Sequence, residues 1–151
     1  MDVSLVVSVA SFAVVVIVAA VFVFALRGQG GPARQTDGGI RVPLRAAYGS
    51  RKGFGLLGSH NNFNPLLLLY DDRIEYRVLK RTSVAYSGIA GVDAVTGWGR
   101  AAVVLSFTDS NFRFVGNTGG RAALAEVLRL LRDKGSPLTD AARVIAEAPA
   151  G

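Results

Sequence analysis

The hydrophobic pattern of the chain begins with an unbroken apolar run. Residues 3–26, VSLVVSVASFAVVVIVAAVFVFAL, include no charged side chain. At about 1.5 Å per residue a helix of that length measures about 36 Å, whereas the hydrocarbon core of a bilayer is about 30 Å thick. The run is longer than the apolar region of a cleaved signal peptide, and the one charge before it is Asp2 rather than a basic cluster. The pattern predicts a transmembrane anchor over residues 1–26.

The next two segments differ in periodicity. Residues 27–39, RGQGGPARQTDGG, are polar and glycine-rich without a period, which predicts a flexible basic linker. Residues 40–48, IRVPLRAAY, alternate apolar and polar positions, which predicts a half-buried strand. Pro43 lacks a backbone N–H and restricts that strand to an edge or to a short irregular run. Residues 49–64 are rich in glycine and asparagine and are predicted to form a loop.

Residues 66–116 carry a series of short apolar-alternating segments. Turn signals separate them at Asp71-Asp72, Lys80-Arg81, residues 97–99 and residues 109–111. Short strands at this spacing predict an antiparallel meander that closes toward a barrel or a bent sandwich. The positions predicted to face inward are Ile74, Tyr76, Val78, Val84, Tyr86, Ile89, Val92, Val95, Val103, Leu105 and Phe107, and Phe112 and Phe114 are predicted to begin the last strand.

The period then changes from that of a strand to that of a helix. Residues 121–134, RAALAEVLRLLRDK, place Leu124, Val127, Leu128 and Leu131 at helical spacing, which predicts an amphipathic helix that ends near Gly135. A short second helix over residues 140–148 is expected to be weakly held, because its apolar content is mainly alanine.

A run of antiparallel strands followed by one amphipathic helix resembles the pleckstrin-homology-like superfamily, including bacterial PH-like and GRAM-like domains. The resemblance is carried by LLLLYDDRIEYRVLKRTSVAYSGIAGVDAV, with its Ile89 and Val92 pair, and by ALAEVLRLLRDKG. It implies a PH-like bent barrel over residues 40–137, closed by the helix. Residues 138–151 are predicted from their own pattern to be a short helix and tail. Some relatives bind phosphoinositides through a long basic loop, but the corresponding hairpin at Tyr70–Arg73 is short and acidic. No lipid-binding residue is therefore carried over.

The predicted fold class combines these elements. It is an N-terminal transmembrane α-helix plus a mainly antiparallel β domain, a PH-like bent barrel, closed by a C-terminal amphipathic α-helix. The net charge of +6 is concentrated after the apolar run, where residues 27–52 carry six basic side chains and one acidic side chain. By the positive-inside rule this predicts a single-pass protein of the cell membrane with its C-terminal domain in the cytoplasm. Nucleic acid is not an expected partner, because the domain has no basic stripe interleaved with aromatic residues.

Candidate chemistry is sparse. The chain has no cysteine and one histidine, His60, so neither a metal site nor a cofactor site is expected. Gly53-x-Gly55-x-x-Gly58 matches a dinucleotide fingerprint only formally, because no predicted helix opens on it. Asp71-Asp72 is interpreted as a turn rather than as a catalytic pair. The sequence predicts no catalytic residue and no enzyme activity, and it leaves open whether residues 53–64 form a binding surface.

Two functions remain open from the sequence. The first is a membrane-tethered, noncatalytic module that docks a protein partner or positions a complex at the cytoplasmic face of the membrane. Trp98, between two glycines, either contributes to such a partner surface or caps the core. The alternative is a domain that senses anionic lipid of the bilayer. Its candidate contacts are Arg27, Arg34, Arg41, Arg45, Arg51 and Lys52.

Overall fold

A computed structural model describes residues 32–36, 38–51, 60–61, 64–97 and 100–148. These residues form ten strands and two helices. The strands are β1 (Arg34–Thr36), β2 (Gly39–Val42), β3 (Ala46–Arg51), β4 (His60–Asn61), β5 (Leu66–Leu69), β6 (Arg73–Arg77), β7 (Arg81–Ala85), β8 (Ile89–Gly97), β9 (Arg100–Phe107) and β10 (Phe112–Asn117). The helices are α1 (Arg121–Asp133) and α2 (Asp140–Glu147), and a 3-10 turn at Tyr86–Gly88 joins β7 to β8.

The strands form two five-stranded antiparallel sheets. The first has the order β1-β2-β5-β6-β7, and the second has the order β4-β3-β10-β9-β8. The strand predicted over residues 40–48 is divided between them, because β2 pairs with β5 and β3 pairs with β10. The division falls beside Pro43, which cannot donate a ladder hydrogen bond. The chain thus passes from one sheet to the other beside the proline predicted to limit the strand.

The main core contains residues from both sheets and from both helices. Ile74 and Tyr76 from the first sheet, and Leu105 and Phe114 from the second, belong to the same buried cluster. The ring centroids of Tyr76 and Phe114 are 5.0 Å apart, so aromatic contacts join the two sheets directly. The predicted antiparallel pairing of these strands is confirmed. Burial alternates along β6 and β7, whereas residues 101–105 of β9 are buried without interruption, because its two sides belong to two separate apolar clusters. The inward prediction for Val95 is wrong, since this side chain is 45 % exposed near the end of β8.

Helix α1 buries the side that its periodicity predicted. Leu124, Leu128 and Leu131 are fully buried and Val127 nearly so. Gly135 ends this helical segment with a φ of +82°, a backbone conformation that glycine adopts without steric cost. The amphipathic helix predicted over 121–134 is therefore confirmed as a packed element of the core.

Helix α2 is held more firmly than its alanine content suggested. Ala142, Ile145 and Ala146 are buried, and the Thr139 hydroxyl accepts a hydrogen bond from the Ala142 N–H at 3.3 Å. The segment before it also bonds to β8. Val92 N–H donates to the Pro137 carbonyl at 2.8 Å, and Thr139 N–H donates to the Val92 carbonyl at 2.9 Å. Small alanine side chains permit close helix packing, which the residue pattern alone does not reveal.

The transmembrane part of the predicted fold class requires correction. Of the helices in the described part of the chain, none is both long enough and apolar enough to cross a bilayer. Helix α1, with 13 residues, is about 20 Å long, and its other side carries charged residues. Residues 3–26, on which the anchor was predicted, lie outside the described residues. The fold class that the structure supports is a mainly antiparallel β domain with two helices, and it gives the single-pass membrane description no support.

The predicted linker also contains structure. Residues 34–36 form β1, which pairs with β2 so that Arg34 faces Arg41 and Thr36 faces Gly39. All three β1 residues are exposed. The strand therefore has no alternation of apolar and polar residues from which it could be predicted. Its pairing with β2 is a backbone interaction that composition does not predict.

Truncating Leu128 should destabilise the fold through a cavity beneath α1. The side chain is fully buried in the main core. We expect Leu128→Ala to lower the free energy of unfolding by about 2–5 kcal/mol in urea titrations of the full chain. Val144→Ala is the matched control, because Val144 is 67 % exposed on α2. Equal unfolding midpoints for the two variants would contradict the packing of α1 described here.

Tyr86 should make stability fall at high pH. Its hydroxyl donates to the Tyr70 carbonyl at 2.8 Å, and burial, reinforced by the charges of Asp71 and Asp72, raises the pKa of Tyr86 to about 12. The unfolded chain loses this proton near pH 10 and the folded chain only near pH 12. Across that window the folded state binds more protons, so its stability decreases as pH rises. Urea midpoints measured from pH 9 upward should fall more steeply for the native chain than for Tyr86→Phe, and parallel curves would refute the assignment.

Candidate functional site

The principal candidate site is an apolar cavity of about 510 Å³ that opens between the two sheets beside β7. Its walls come from β6 and β7 on one side and from the ends of β9 and β10 on the other. The lining residues are Tyr76, Val78, Leu79, Lys80, Thr82, Val84, Gly88, Phe107, Asp109, Ser110 and Phe112. Its walls are mainly apolar, with charged groups at Lys80 and Asp109.

Three aromatic rings form one wall of the cavity. Tyr76 stacks on Phe107 with ring centroids 5.2 Å apart and on Phe112 at 6.1 Å, and Phe107 and Phe112 are 6.3 Å apart. The three rings are nearly parallel, with interplanar angles of 12–15°. Parallel rings that contact one another restrict each other's rotation, so this wall is preformed rather than assembled by a ligand.

Glycine at position 49 makes room for the Phe112 ring. A Cβ at Gly49 would lie 2.6 Å from the nearest atom of that ring. Gly49 and Phe112 lie on neighbouring strands, because β3 pairs with β10 in a register that places Phe114 opposite Gly49. The absence of a side chain at this position therefore sets where the ring lies in the cavity wall.

Strand β7 borders the cavity and forms one edge of the first sheet. Tyr70 N–H donates to the Arg73 carbonyl at 2.8 Å, so Tyr70 and Arg73 are a hydrogen-bonded pair of the β5–β6 hairpin. The backbone groups of Arg73 therefore point toward β5. Backbone groups alternate in direction along a strand, so those of Ile74 and Tyr76 point toward β7. These two residues are opposite Val84 and Thr82. The intervening residue, Ser83, therefore directs its N–H and carbonyl away from the sheet.

The exposed edge and the cavity share one strand. Thr82 and Val84 lie on the same side of β7 as the core residues that they face, and both line the cavity. In the part of the chain that the structure describes, no strand lies on the outer side of β7. An extended segment added here would exchange hydrogen bonds with Ser83 and direct alternate side chains into the cavity.

The β8 edge of the second sheet, unlike the β7 edge, is partly covered by another segment of the chain. Strand β8 bonds through Val92 to Pro137 and Thr139, and α2 packs against it. Asp93 accepts a further hydrogen bond from the Thr139 hydroxyl at 2.7 Å. The chain thus covers part of the β8 edge with its own C-terminal segment, whereas the β7 edge has no such cover among the described residues.

Charges are distributed unequally along the β7 edge. Arg81, at the beginning of β7, forms an ion pair with Glu75, and this contact raises the pKa of the Arg81 guanidinium. Lys80 precedes it and forms no ion pair with any described residue. At the far end, Asp71 contacts the Lys134 ammonium at 2.7 Å, which lowers the pKa of that carboxyl. Asp72 contacts Arg73 at 3.0 Å.

Among the described residues around the cavity, no side chains form a catalytic constellation. Asp71 and Asp72 are both exposed and each contacts a cation, as turn residues do. Within the described residues, no three His, Asp or Glu side chains converge as metal ligands would. The expected absence of enzyme activity, cofactor and metal stays a prediction.

The predicted lipid-contacting cations are placed on different parts of the fold. Arg34 and Arg41 are opposite each other on β1 and β2, and the Arg45 side chain lies against Gly119, near the start of α1. Arg51 ends β3 opposite Phe112. Arg27, Lys52 and Trp98 lie outside the described residues, as does most of the loop 53–64. Lipid contact by this set, and partner contact by Trp98, stay predictions.

The cavity was not predicted from the sequence. Leu79 could have indicated the cavity from the sequence, because it is an apolar residue in a charged hairpin. In the structure its side chain is 74 % exposed beside the opening. Alternation predicts Phe107 as an inward residue and Phe112 as the start of a strand, and gives no sign that both border an open space. Comparison with protein-family models and with curated proteins finds no match to this chain.

Adding a methyl group at position 49 should disturb the aromatic wall. We expect Gly49→Ala to displace the Phe112 ring and to lower the free energy of unfolding by about 1–3 kcal/mol. The Phe112 and Tyr76 ring-proton shifts should change in NMR spectra of the full chain. Gly91→Ala is the control, because a Cβ there meets no atom within 4 Å. Unchanged ring shifts in Gly49→Ala would show that the wall is not positioned by this contact.

Proposed function

We propose that the chain is a noncatalytic docking module that binds an extended polypeptide segment along β7. The observation that carries the proposal is the juxtaposition of an apolar cavity of about 510 Å³ with an exposed strand edge. The edge supplies directional backbone hydrogen bonds at Ser83, and the cavity accepts the apolar side chains that alternate with them. These two features together are what strand addition requires.

The size of the contact favours weak, reversible binding. Burial of one Val or Leu side chain contributes about 1.5–3 kcal/mol, and each hydrogen bond adds a net of about 0.5–1.5 kcal/mol. Ordering the peptide and the loss of its free translation oppose these gains. A few such contacts therefore support dissociation constants in the micromolar range rather than the permanent assembly of a large interface.

The PH-like resemblance is compatible with this proposal but does not carry it. The described strands follow one another into two antiparallel sheets, and α1 follows the last strand. A β-rich domain with a helix after its last strand is compatible with the resemblance. A fold hosts many unrelated sites, so the docking function is argued from β7 and its cavity alone.

The alternative, anionic-lipid sensing, has less support. Of the described cations suggested for lipid contact, Arg34 and Arg41 lie on the first sheet, and Arg51, on the second sheet, is opposite Phe112 of the cavity wall. A headgroup site would need several donors directed at one point. We therefore propose a polypeptide as the ligand and treat vesicle binding as a competing outcome.

A displayed library of random dodecapeptides, selected on the full chain, tests the docking function. Recovered peptides should share alternating apolar positions and should shift the amide signals of Ser83 and Val84 in NMR titrations. Ser83→Pro removes the outward N–H while leaving the β6-facing groups of Thr82 and Val84 in place. It should weaken binding at least tenfold, whereas Ser83→Ala, the matched control, should leave binding unchanged.

Two results would overturn this function. One is selected peptides that bind Ser83→Pro, Ser83→Ala and the native chain alike, provided that all three melt at similar temperatures. The other is salt-resistant sedimentation of the full chain with anionic vesicles that distinguishes two headgroups of equal charge, in the absence of any recovered peptide.

A further inference from the structure

The β7 edge has a basic end, which gives it an electrostatic direction. Arg77 lies opposite Arg81 where β6 and β7 meet, and Lys80 lies in the hairpin between them. Arg51 is opposite Phe112, which lines the same cavity. Glu75 and Asp109 are the acidic residues on this side, and Glu75 is already engaged by Arg81. Cations therefore outnumber carboxylates among the described residues at this end.

The other end of β7 lacks this excess of positive charge. The Asp71-Asp72 turn lies there, because Arg73 is opposite Ala85, the last residue of β7. Both aspartates are exposed. Lys134 and Arg73 pair with these two carboxylates, so this end has no excess of cations and attracts anions less than the Lys80 end does. A bound strand would therefore experience a more favourable field when its acidic residues lie at the Lys80 end.

The sheet itself favours one strand direction. Every pair in the first sheet, from β1–β2 to β6–β7, is antiparallel. Antiparallel ladders are slightly more stable per residue than parallel ones, and their bonds are perpendicular to the strands. A segment that extends this sheet in the same pattern runs from the Ala85 end toward the Arg81 end. Its C-terminal part then lies beside Lys80 and Arg81.

From the charge distribution along the β7 edge and the antiparallel strand direction, we infer the chemistry of the partner. Resting on the proposed docking function, the inference is that the docked segment carries acidic residues immediately after its alternating apolar residues. The apolar residues enter the cavity beside Thr82 and Val84, and the acidic residues meet Lys80, with Arg77 and Arg51 close by. Basic or neutral residues precede them, at the end that faces Asp71 and Asp72.

Two capped nonapeptides of identical composition test this direction. Both contain a central Thr-Val-Thr-Val-Thr; one has two lysines before it and two glutamates after it, and the other has the charges exchanged. When the peptides are titrated into the full chain at low ionic strength, the one with C-terminal glutamates should bind about three- to tenfold more tightly, since exposed charge pairs make small individual contributions. The difference should shrink as salt is added.

Charge reversal at the hairpin supplies the matched variant. Lys80→Glu should abolish or invert the preference between the two peptides. Arg121→Glu makes the same change in net charge at the start of α1 and should preserve the preference. An unaltered preference in Lys80→Glu would overturn the assignment of the acidic residues to this end.

The outcomes separate this inference from the docking function. Equal affinity for both peptides, with binding lost in Ser83→Pro, would overturn the direction while supporting docking at β7. Binding of both peptides that Ser83→Pro does not affect would place them elsewhere and overturn both. Failure of both peptides to bind at millimolar concentration would overturn the inferred partner chemistry, and the library selection would still decide the docking function by itself.

Discussion

The aromatic contact between the two sheets is the interaction on which the rest of the structure depends. Tyr76 from β6 lies 5.0–6.1 Å, between ring centroids, from Phe107, Phe112 and Phe114 of the second sheet. A single sheet with one apolar side must bury that side against another layer. Here the stacked rings join the two sheets and also line the cavity. The same residues therefore stabilise the fold and shape the candidate site.

The outer edges of the two sheets differ in how far the described chain covers them. An exposed strand edge is an available template for pairing with another chain, and native proteins usually cover it or place charges along it. The C-terminal segment bonds to Val92 of β8, while β7 carries Arg81 and follows Lys80. Cations at this edge oppose pairing with a second copy of the same basic strand. They remain compatible with a complementary acidic segment.

Glycine at position 49 illustrates how a local residue choice affects a distant strand. Its missing Cβ accommodates the Phe112 ring, and Phe112 in turn stacks on Tyr76 in the opposite sheet. The predicted loop began at this glycine because glycine is frequent in loops. In the structure Gly49 lies within β3, since close approach of a ring from the neighbouring strand, rather than a turn, requires it. Composition does not distinguish these two uses of glycine.

The sequence by itself determined the elements whose faces are strongly periodic. Alternation predicted Ile74 and Tyr76 as inward residues of a strand, and helical spacing predicted Leu124, Leu128 and Leu131 as the buried side of α1, because burial of one face requires that spacing. Tertiary structure alone decided that β2 and β3 belong to different sheets, that α2 packs through alanines, and that Phe107 and Phe112 border a cavity beside Ser83. These features depend on which strands become neighbours and where pairing stops. Such non-local contacts leave no period in the residues that make them.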